Sequence, residues 1–455
     1  MNSIFGTDGI RGVFGTPPID ADTVTRVGWA LGDGLVRAGA GTPGTRGGAT
    51  RPLVVLGGDT RDSTPEVASW VEAGLVAAGA EVANAGIVPT PAVATLVREL
   101  AAAAGVSISA SHNPWRDNGV KLFDAQGFKW SQDEERRLES RLPAAPATVS
   151  PADGTSTPDA ALGERYLARL LATLPAPRAL LGLRVAIDAA NGAASPWARR
   201  LFEAAGARVH AFHDQPDGVN INVGCGSTVA SEIARLVRET GSDLGLTFDG
   251  DADRCMVADE TGRVLDGDAI LFLLARAKKA DGGLDPAMVV VTEMSNLGLD
   301  AGLAREGIAV VRCGVGDREV VEEMRRRGVR LGGEQSGHLV NLELSSTGDG
   351  LLSALQVAIL LAAAKVPLSR LAAPFETFPQ TLRNVAVRRK EKFDEIPGLP
   401  EVLSSVRGQL GGEGRVLLRY SGTEPLARIM IEGRDAAAIE SMASRIAAAL
   451  ERHLS

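Results

Sequence analysis

Three aspartates, Asp249, Asp251 and Asp253, occupy alternate positions in DGDADR, directly after the apolar run LGLTF. In extended backbone, alternate side chains project to one side, so the three carboxylates converge. Like charges that close repel one another unless a cation neutralises them, and an all-oxygen set of this kind suits Mg²⁺. A polar turn closing a strand is the competing explanation; the EF-hand continuation is missing.

A second candidate lies in SISASHNPWRDNGVKLF, residues 107 to 123. Val106 and Ile108 alternate with small residues as a strand entering a core does, and Asn113-Pro114 ends it abruptly. Ser111 and His112 therefore sit at the carboxyl end of a strand, where open α/β sheets bind ligands, although turn chemistry would look the same. Their adjacency argues against a serine hydrolase, because neighbouring residues do not readily orient as nucleophile and base and GxSxG is absent. In GEQSGH, 333 to 338, Glu334, Ser336 and His338 stand between glycines that let backbone approach a ligand; a decorated hairpin turn is the alternative. In RYSGTEP, 419 to 425, Arg419, Ser421, Thr423 and the backbone of Gly422 could surround a phosphate, with Arg428 as a second planar donor, or form an ordinary Ser-Gly turn. FGTDGIRG adds Arg11 in a glycine-rich loop.

Positioning these groups is the work of an alternating pattern. Strand-like PLVVLGG, RVAIDAAN, DLGLTFDG and MVVVT intersperse with helical PEVASWVEAGLVAAGA and SEIARLVRETG, which implies βαβ units and largely parallel sheets. At 455 residues the chain needs about two to four domains. Segment 39–52 reads as an insertion and 143–160 as a linker. We place boundaries at 1–145, 158–258, 259–372 and 375–455, the last reading as strand, helix, two strands and an amphipathic helix. Strands ending in Gly, Asp or Asn before a helix (VLGGDTRDS, AIDAANGAAS, VVTEMSNLGL) hint at three similar α/β units.

A net charge of −8 without a Lys/Arg stripe argues against nucleic acid; AVRRKEKF and MRRRGVR read as solvated faces. Cys225, Cys255 and Cys313 are too far apart in sequence for a metal motif or disulfide framework, so a reducing compartment is expected. The start lacks a basic and apolar leader and no apolar run reaches membrane length, so the expectation is a cytoplasmic protein without a membrane partner.

The order FGTDGIRG, SASHNPWRDNGVKLF, DGDADR, GEQSGH and RYSGTEP resembles the α-D-phosphohexomutase superfamily from end to end. GVNINVGCGST, VGDREVVEEM, Gln335 and SSTGDG (345 to 350) resemble its amino-sugar branch. The resemblance implies three similar α/β domains with mixed, largely parallel sheets plus a smaller C-terminal α+β domain around a central cleft. It implies interconversion of glucosamine 6-phosphate and glucosamine 1-phosphate, towards UDP-N-acetylglucosamine and peptidoglycan, through a phosphoserine at Ser111 and a sugar 1,6-bisphosphate. Mg²⁺ would be held by Asp249, Asp251, Asp253 and the Ser111 phosphoryl oxygen. Lys121 and His338 would handle protons, Lys121 as base if neighbouring cations lower its pKa, while Arg11, His112 and Arg254 position the phosphoserine. Glu334 and Ser336 would grip sugar hydroxyls, and Arg419, Ser421, Gly422, Thr423 and Arg428 the non-reacting phosphate. Expected partners are glucosamine or glucose 1,6-bisphosphate as activator, a priming kinase or autophosphorylation for Ser111, and a second copy in a homodimer. Tyr420 and Trp130 depart from the usual pattern, where Pro and Leu are common. A glucose or mannose phosphate mutase and a non-catalytic phosphosugar sensor are the rival readings; a sensor should have lost Ser111 or an aspartate.

Overall fold

The computed structural model describes residues 3–39, 51–146, 149, 156–421 and 425–454. The chain folds as two units, one of 1–294 with 308–373 and the other of 295–307 with 374–455.

The larger unit is built from three sheets that share one plan. In the first, Leu53–Gly58 is flanked in parallel by Glu81–Ile87 and Ala104–Ile108; Ala104–Ile108 then turns back as antiparallel Asp117–Phe123, and Ile10–Val13 closes the edge. In the second, Arg184–Asp188 lies parallel to Arg208–Phe212 and Leu244–Phe248, and Leu244–Phe248 turns back as antiparallel Cys255–Asp259. In the third, Met288–Thr292 lies parallel to Ala309–Cys313 and Leu331–Gly333, and Leu331–Gly333 turns back as antiparallel Leu339–Asn341. Each sheet thus ends its parallel run in one hairpin, and the three hairpin loops are those carrying Ser111, DGDADR and GEQSGH. The expected threefold echo is present, and it extends to these loops as well as to the strand-to-helix turns.

Sequence explains the strands locally. All five residues of Leu244–Phe248 are buried, as apolar strands with both faces covered must be. Helix Ala230–Thr240 buries Ile233, Ala234, Leu236 and Val237 on one face and stops at Gly241 in the left-handed conformation.

The smaller unit has an antiparallel sheet ordered Gln380–Ala386, Leu426–Glu432, Arg415–Tyr420, with helices Leu399–Leu410 and Ala436–Leu454. Val385, Val406, Ile429, Ile431, Ile446 and Leu450 form its own core. This is the expected strand, helix, two strands, helix. Helix Leu297–Arg305 also belongs to this unit: Asn296 accepts from Phe378 N at 2.9 Å and donates to Phe378 O at 3.0 Å. Among the described residues no helix is long and apolar enough to cross a membrane.

Candidate active site

Ser111 is buried, and its φ of +53° is the left-handed region that L-residues enter at about 1–2 kcal/mol. Surrounding groups impose this conformation. Arg61, itself fully buried on Asp59 at 2.9 Å, donates to the carbonyls of Ser111 (2.9 Å), Asn113 (3.0 Å) and Asp117 (2.9 Å) and also to that of Pro114. Asn222 donates to the Ser111 carbonyl at 2.9 Å, and Ser109 Oγ accepts from the Ser111 amide at 2.8 Å. Gly250 must be glycine here, because a Cβ would lie 2.5 Å from the Ser111 carbonyl oxygen. The Ser111 hydroxyl donates to Asp249 and lies 3.3 Å from His112 Nδ1. Burial, then Arg254 and Arg11, lower the His112 imidazole, which keeps it neutral beside two cations.

Asp249, Asp251 and Asp253 are buried, with one carboxylate oxygen from each lying within 4.8 Å of the others. Oδ1 of Asp251 and Oδ1 of Asp253 have no hydrogen-bond partner among the described residues. Burial, then Asp253 and Asp251, push Asp249 up to about 8. Buried carboxylate oxygens without a hydrogen bond are costly, and converging oxygens of this kind fit a divalent cation.

Behind the aspartates lies a buried network of alternating charge. Lys121 Nζ is 2.7 Å from Asp251, 3.2 Å from Asp8 and 3.3 Å from Asp253. Lys129 pairs with Asp8 at 2.5 Å and with Asp317, and Arg11 pairs with Asp8. His338 stands 3.6 Å from Asp253 and 3.5 Å from Asp317. The condition under which Lys121 would be a base is not met. Burial alone would lower its ammonium, but Asp251, Asp8 and Asp253 outweigh burial and hold it well above the usual lysine range. Its neighbours are carboxylates where lowering would need cations. His338 follows the same rule, with burial outweighed by Asp253 and Asp317, so its imidazolium is favoured.

Glu334 is raised by burial and lies 3.5 Å from Ser336 Oγ. Gln335 points elsewhere, donating at 3.2 Å to Asp266, the cap of helix Gly267–Ala280. SSTGDG is likewise committed to the scaffold: Ser346 donates to Gly127 O at 2.6 Å, and Asp349 caps helix Gly350–Ala364 while accepting from buried Tyr166 at 3.0 Å.

In the smaller unit Arg419 and Arg428 are cross-strand partners, Arg428 donates to Ser421 Oγ at 3.4 Å, and Lys390 donates to the Ser421 carbonyl at 2.6 Å. Gly422 and Thr423 lie outside the described residues. AVRRKEKF is the solvated face expected, with Arg388, Arg389, Lys390 and Lys392 exposed and Lys390 also reaching the Ser421 carbonyl. Tyr420 stacks on Phe393 with centroids 4.3 Å apart and donates to Glu391 O at 2.7 Å, which anchors this strand end without touching the ligand candidates. Trp130 packs partly buried against the first core.

Sequence reasoning missed Arg61, Asn222, Asp8, Lys129 and Asp317. Four sit inside stretches already singled out (VLGGDTRDS, GVNINVGCGST, FGTDGIRG, VGDREVVEEM) and Lys129 stands next to Trp130, but only the fold shows which member faces the site.

The chain belongs to the phosphoglucomutase/phosphomannomutase family, matching its alpha/beta/alpha domain I at residues 2–147, domain II at 164–262, domain III at 266–378 and C-terminal domain at 382–449. The expected class of three α/β domains and a smaller C-terminal one is thereby met. More particularly, it is similar to the phosphoglucosamine mutase of Myxococcus xanthus, 42% identical over 99% of this chain and 97% of the relative. The phosphoglucosamine mutase of Desulfovibrio desulfuricans is 44% identical over 99% of both chains. The solved structure of a phosphoglucomutase/phosphomannomutase family protein from Burkholderia thailandensis shares the fold, with a TM-score of 0.77 and 24% identity, covering 99% of this chain and 97% of that one.

Proposed function

We propose that this chain interconverts glucosamine 6-phosphate and glucosamine 1-phosphate, with Ser111 carrying the phosphoryl group and a sugar 1,6-bisphosphate as intermediate. The observation that carries the chemistry is the Ser111 hydroxyl on Asp249, at the mouth of a buried carboxylate cluster. The amino sugar is supported by full-length similarity to phosphoglucosamine mutases.

A phosphoserine brings roughly −1.5 to −2 charges to this place. Asp249, Asp251 and Asp253 would hold Mg²⁺ together with a phosphoryl oxygen of Ser111, and the bound ion screens charge on the transferring group. Arg11 and Arg254 supply fixed positive charge, and neutral His112 offers a hydrogen bond without repelling them. Lys121 and His338, held protonated by carboxylates, are the proton donors: one gives its proton to the sugar oxygen as that oxygen leaves phosphorus. The same group, then neutral, takes the proton back in the reverse transfer.

Glu334, with Ser336, accepts hydrogen bonds from the sugar's 3- and 4-hydroxyls, which nearly exchange places when the bisphosphate turns. Arg419, Ser421 and Arg428, with Gly422 and Thr423, bind the phosphate that is not reacting. One N–H of Gln335 is engaged by Asp266, so the amide oxygen and the second N–H are what it has left for the amino sugar. A sugar 1,6-bisphosphate serves as activator, a kinase or autophosphorylation primes Ser111, and the chain works as a cytoplasmic homodimer supplying UDP-N-acetylglucosamine and cell-wall synthesis.

The test compares the purified chain with Mg²⁺ on glucosamine 6-phosphate, glucose 6-phosphate and mannose 6-phosphate, with peptide mapping of the phosphoprotein. A clear preference for the amino sugar and phosphate on Ser111 are expected. Equal efficiency on all three would replace this reading by a generalist hexose mutase, and active enzyme never phosphorylated at Ser111 would remove the mechanism.

A further inference from the structure

Away from the aspartate triad, a chemically different group of side chains meets at the end of the second sheet. Asp188 ends strand Arg184–Asp188, and His213 follows the parallel neighbour Arg208–Phe212. Cys225 arrives from the GVNINVGCGST loop, and one ligand atom from each residue lies within 4.8 Å of the others.

The arrangement is built rather than incidental. Asp188 is fully buried and oriented by amides, accepting from Gly226 N at 2.7 Å and Ala190 N at 3.0 Å. His213 has a φ of +47°, its Nδ1 lies 3.1 Å from Asp188 Oδ1, and its Nε2 lies 3.8 Å from Glu232 Oε1. Glu232 is held by Arg235 at 2.6 Å, which leaves the His213 Nε2 side without a hydrogen-bonded carboxylate. The Cys225 thiol is fully buried and has no hydrogen-bond partner among the described residues, whereas Cys255 and Cys313 donate to the carbonyls of Met256 and Val291. His213 is partly exposed, which gives an ion a way in.

We propose that Asp188, His213 and Cys225 form a second cation site for a thiophilic divalent ion, Zn²⁺. Sulfur, nitrogen and oxygen in one set match zinc, which takes three protein ligands and leaves a fourth position for water, whereas magnesium prefers oxygen alone. On binding, the thiol releases its proton to solvent and a sulfur–metal bond forms. The same loop carries Asn222, which holds the Ser111 carbonyl, so an ion at Cys225 fastens the loop on which the nucleophile rests.

Co²⁺ serves as a spectroscopic stand-in, added to the full chain in excess Mg²⁺ to keep the all-oxygen triad filled. One equivalent should give a thiolate-to-cobalt absorption band that Zn²⁺ abolishes. The band should vanish in Cys225→Ser and persist in Cys255→Ser. His213→Gln, at a partly exposed position, should also lose it and decides the matter if Cys225→Ser does not fold. Absence of the band in the parent chain, its survival in His213→Gln, or its dependence on Cys255 would overturn the proposal.

Discussion

The side-chain amide of Asn222 donates to the main-chain carbonyl of Ser111 at 2.9 Å and to that of Asn113 at 3.3 Å. One loop of the second α/β sheet thereby holds the Ser111 loop of the first. Asn222→Ala leaves those carbonyls short of a donor, so stability should fall by roughly 1–2 kcal/mol and turnover by about tenfold. Denaturant melts and steady-state assays check both numbers; unchanged turnover at reduced stability would make Asn222 a purely structural contact.

The left-handed backbone at Ser111 separates two inactive variants. Ser111→Ala and Ser111→Gly should both lose mutase activity, yet the glycine variant should be the more stable by about 0.5–1 kcal/mol, because only alanine keeps the Cβ clash. The reverse order in thermal melts would mean that the loop relaxes when the hydroxyl is removed.

On the proposed metal site, Lys121 and a divalent ion would neutralise overlapping carboxylates. Lys121→Met strands buried charge, so a loss of about 3–5 kcal/mol is expected in chelator, and Mg²⁺ should raise the melting temperature of the variant more than that of the parent. Equal Mg²⁺ shifts in both proteins would show the two cations to be independent.

Asp349 gives stability a pH signature. Burial raises its carboxyl from 3.8 to about 6, against the opposing bonds from Leu352 and Tyr166. The folded state therefore binds this proton more tightly than the unfolded chain, and stability declines as pH rises from about 4 to about 6, then levels off. Two units correspond to about 3 kcal/mol. Asp349→Asn keeps a capping oxygen and should flatten that decline, as melts across this range would record. Tyr166→Phe should cost about 1.5–3 kcal/mol at neutral pH, where the phenol's bond is to a charged partner.

Arg419→Ala tests the smaller unit. Losing one charge-assisted phosphate contact should cost about 2–3 kcal/mol, or roughly thirty- to over a hundredfold weaker sugar phosphate binding. Bisphosphate should leak into solution during turnover, detectable by phosphorus NMR; unchanged kinetics without leakage would reduce RYSGTEP to a turn.

What is legible in sequence is what is local. DGDADR advertises its geometry because a two-residue period is enough to aim three carboxylates, and the last unit's element order follows from short apolar runs. The partners of Ser111 are not legible, because Arg61 and Asn222 reach it across 50 and 111 residues of chain. Lys121 illustrates a different difficulty. Its place beside a cationic or an anionic neighbour decides the direction of its pKa, and one such neighbour, Asp8, is far away in the chain and stands three residues from the more conspicuous Arg11. Gln335 and SSTGDG suggest specificity, yet their bonds go to Asp266, Gly127 and Tyr166; a motif can distinguish a branch of a family through its scaffold.

The helix Leu297–Arg305 leaves the ribosome well before the sheet with which it associates. Arg415, itself paired with Glu432 at 2.5 Å, reaches back to the carbonyl of Ser295 at 2.5 Å, so the helix waits for roughly a hundred residues of synthesis before its neighbours exist. A chain truncated after residue 373 would keep that helix without the Phe378 and Arg415 partners of its first residues. Gene fusions or domain exchanges that join two such enzymes near residue 374 therefore separate Ser295 and Asn296 from Arg415 and Phe378, and exchanging 295–307 together with the carboxy-terminal segment should keep those contacts matched.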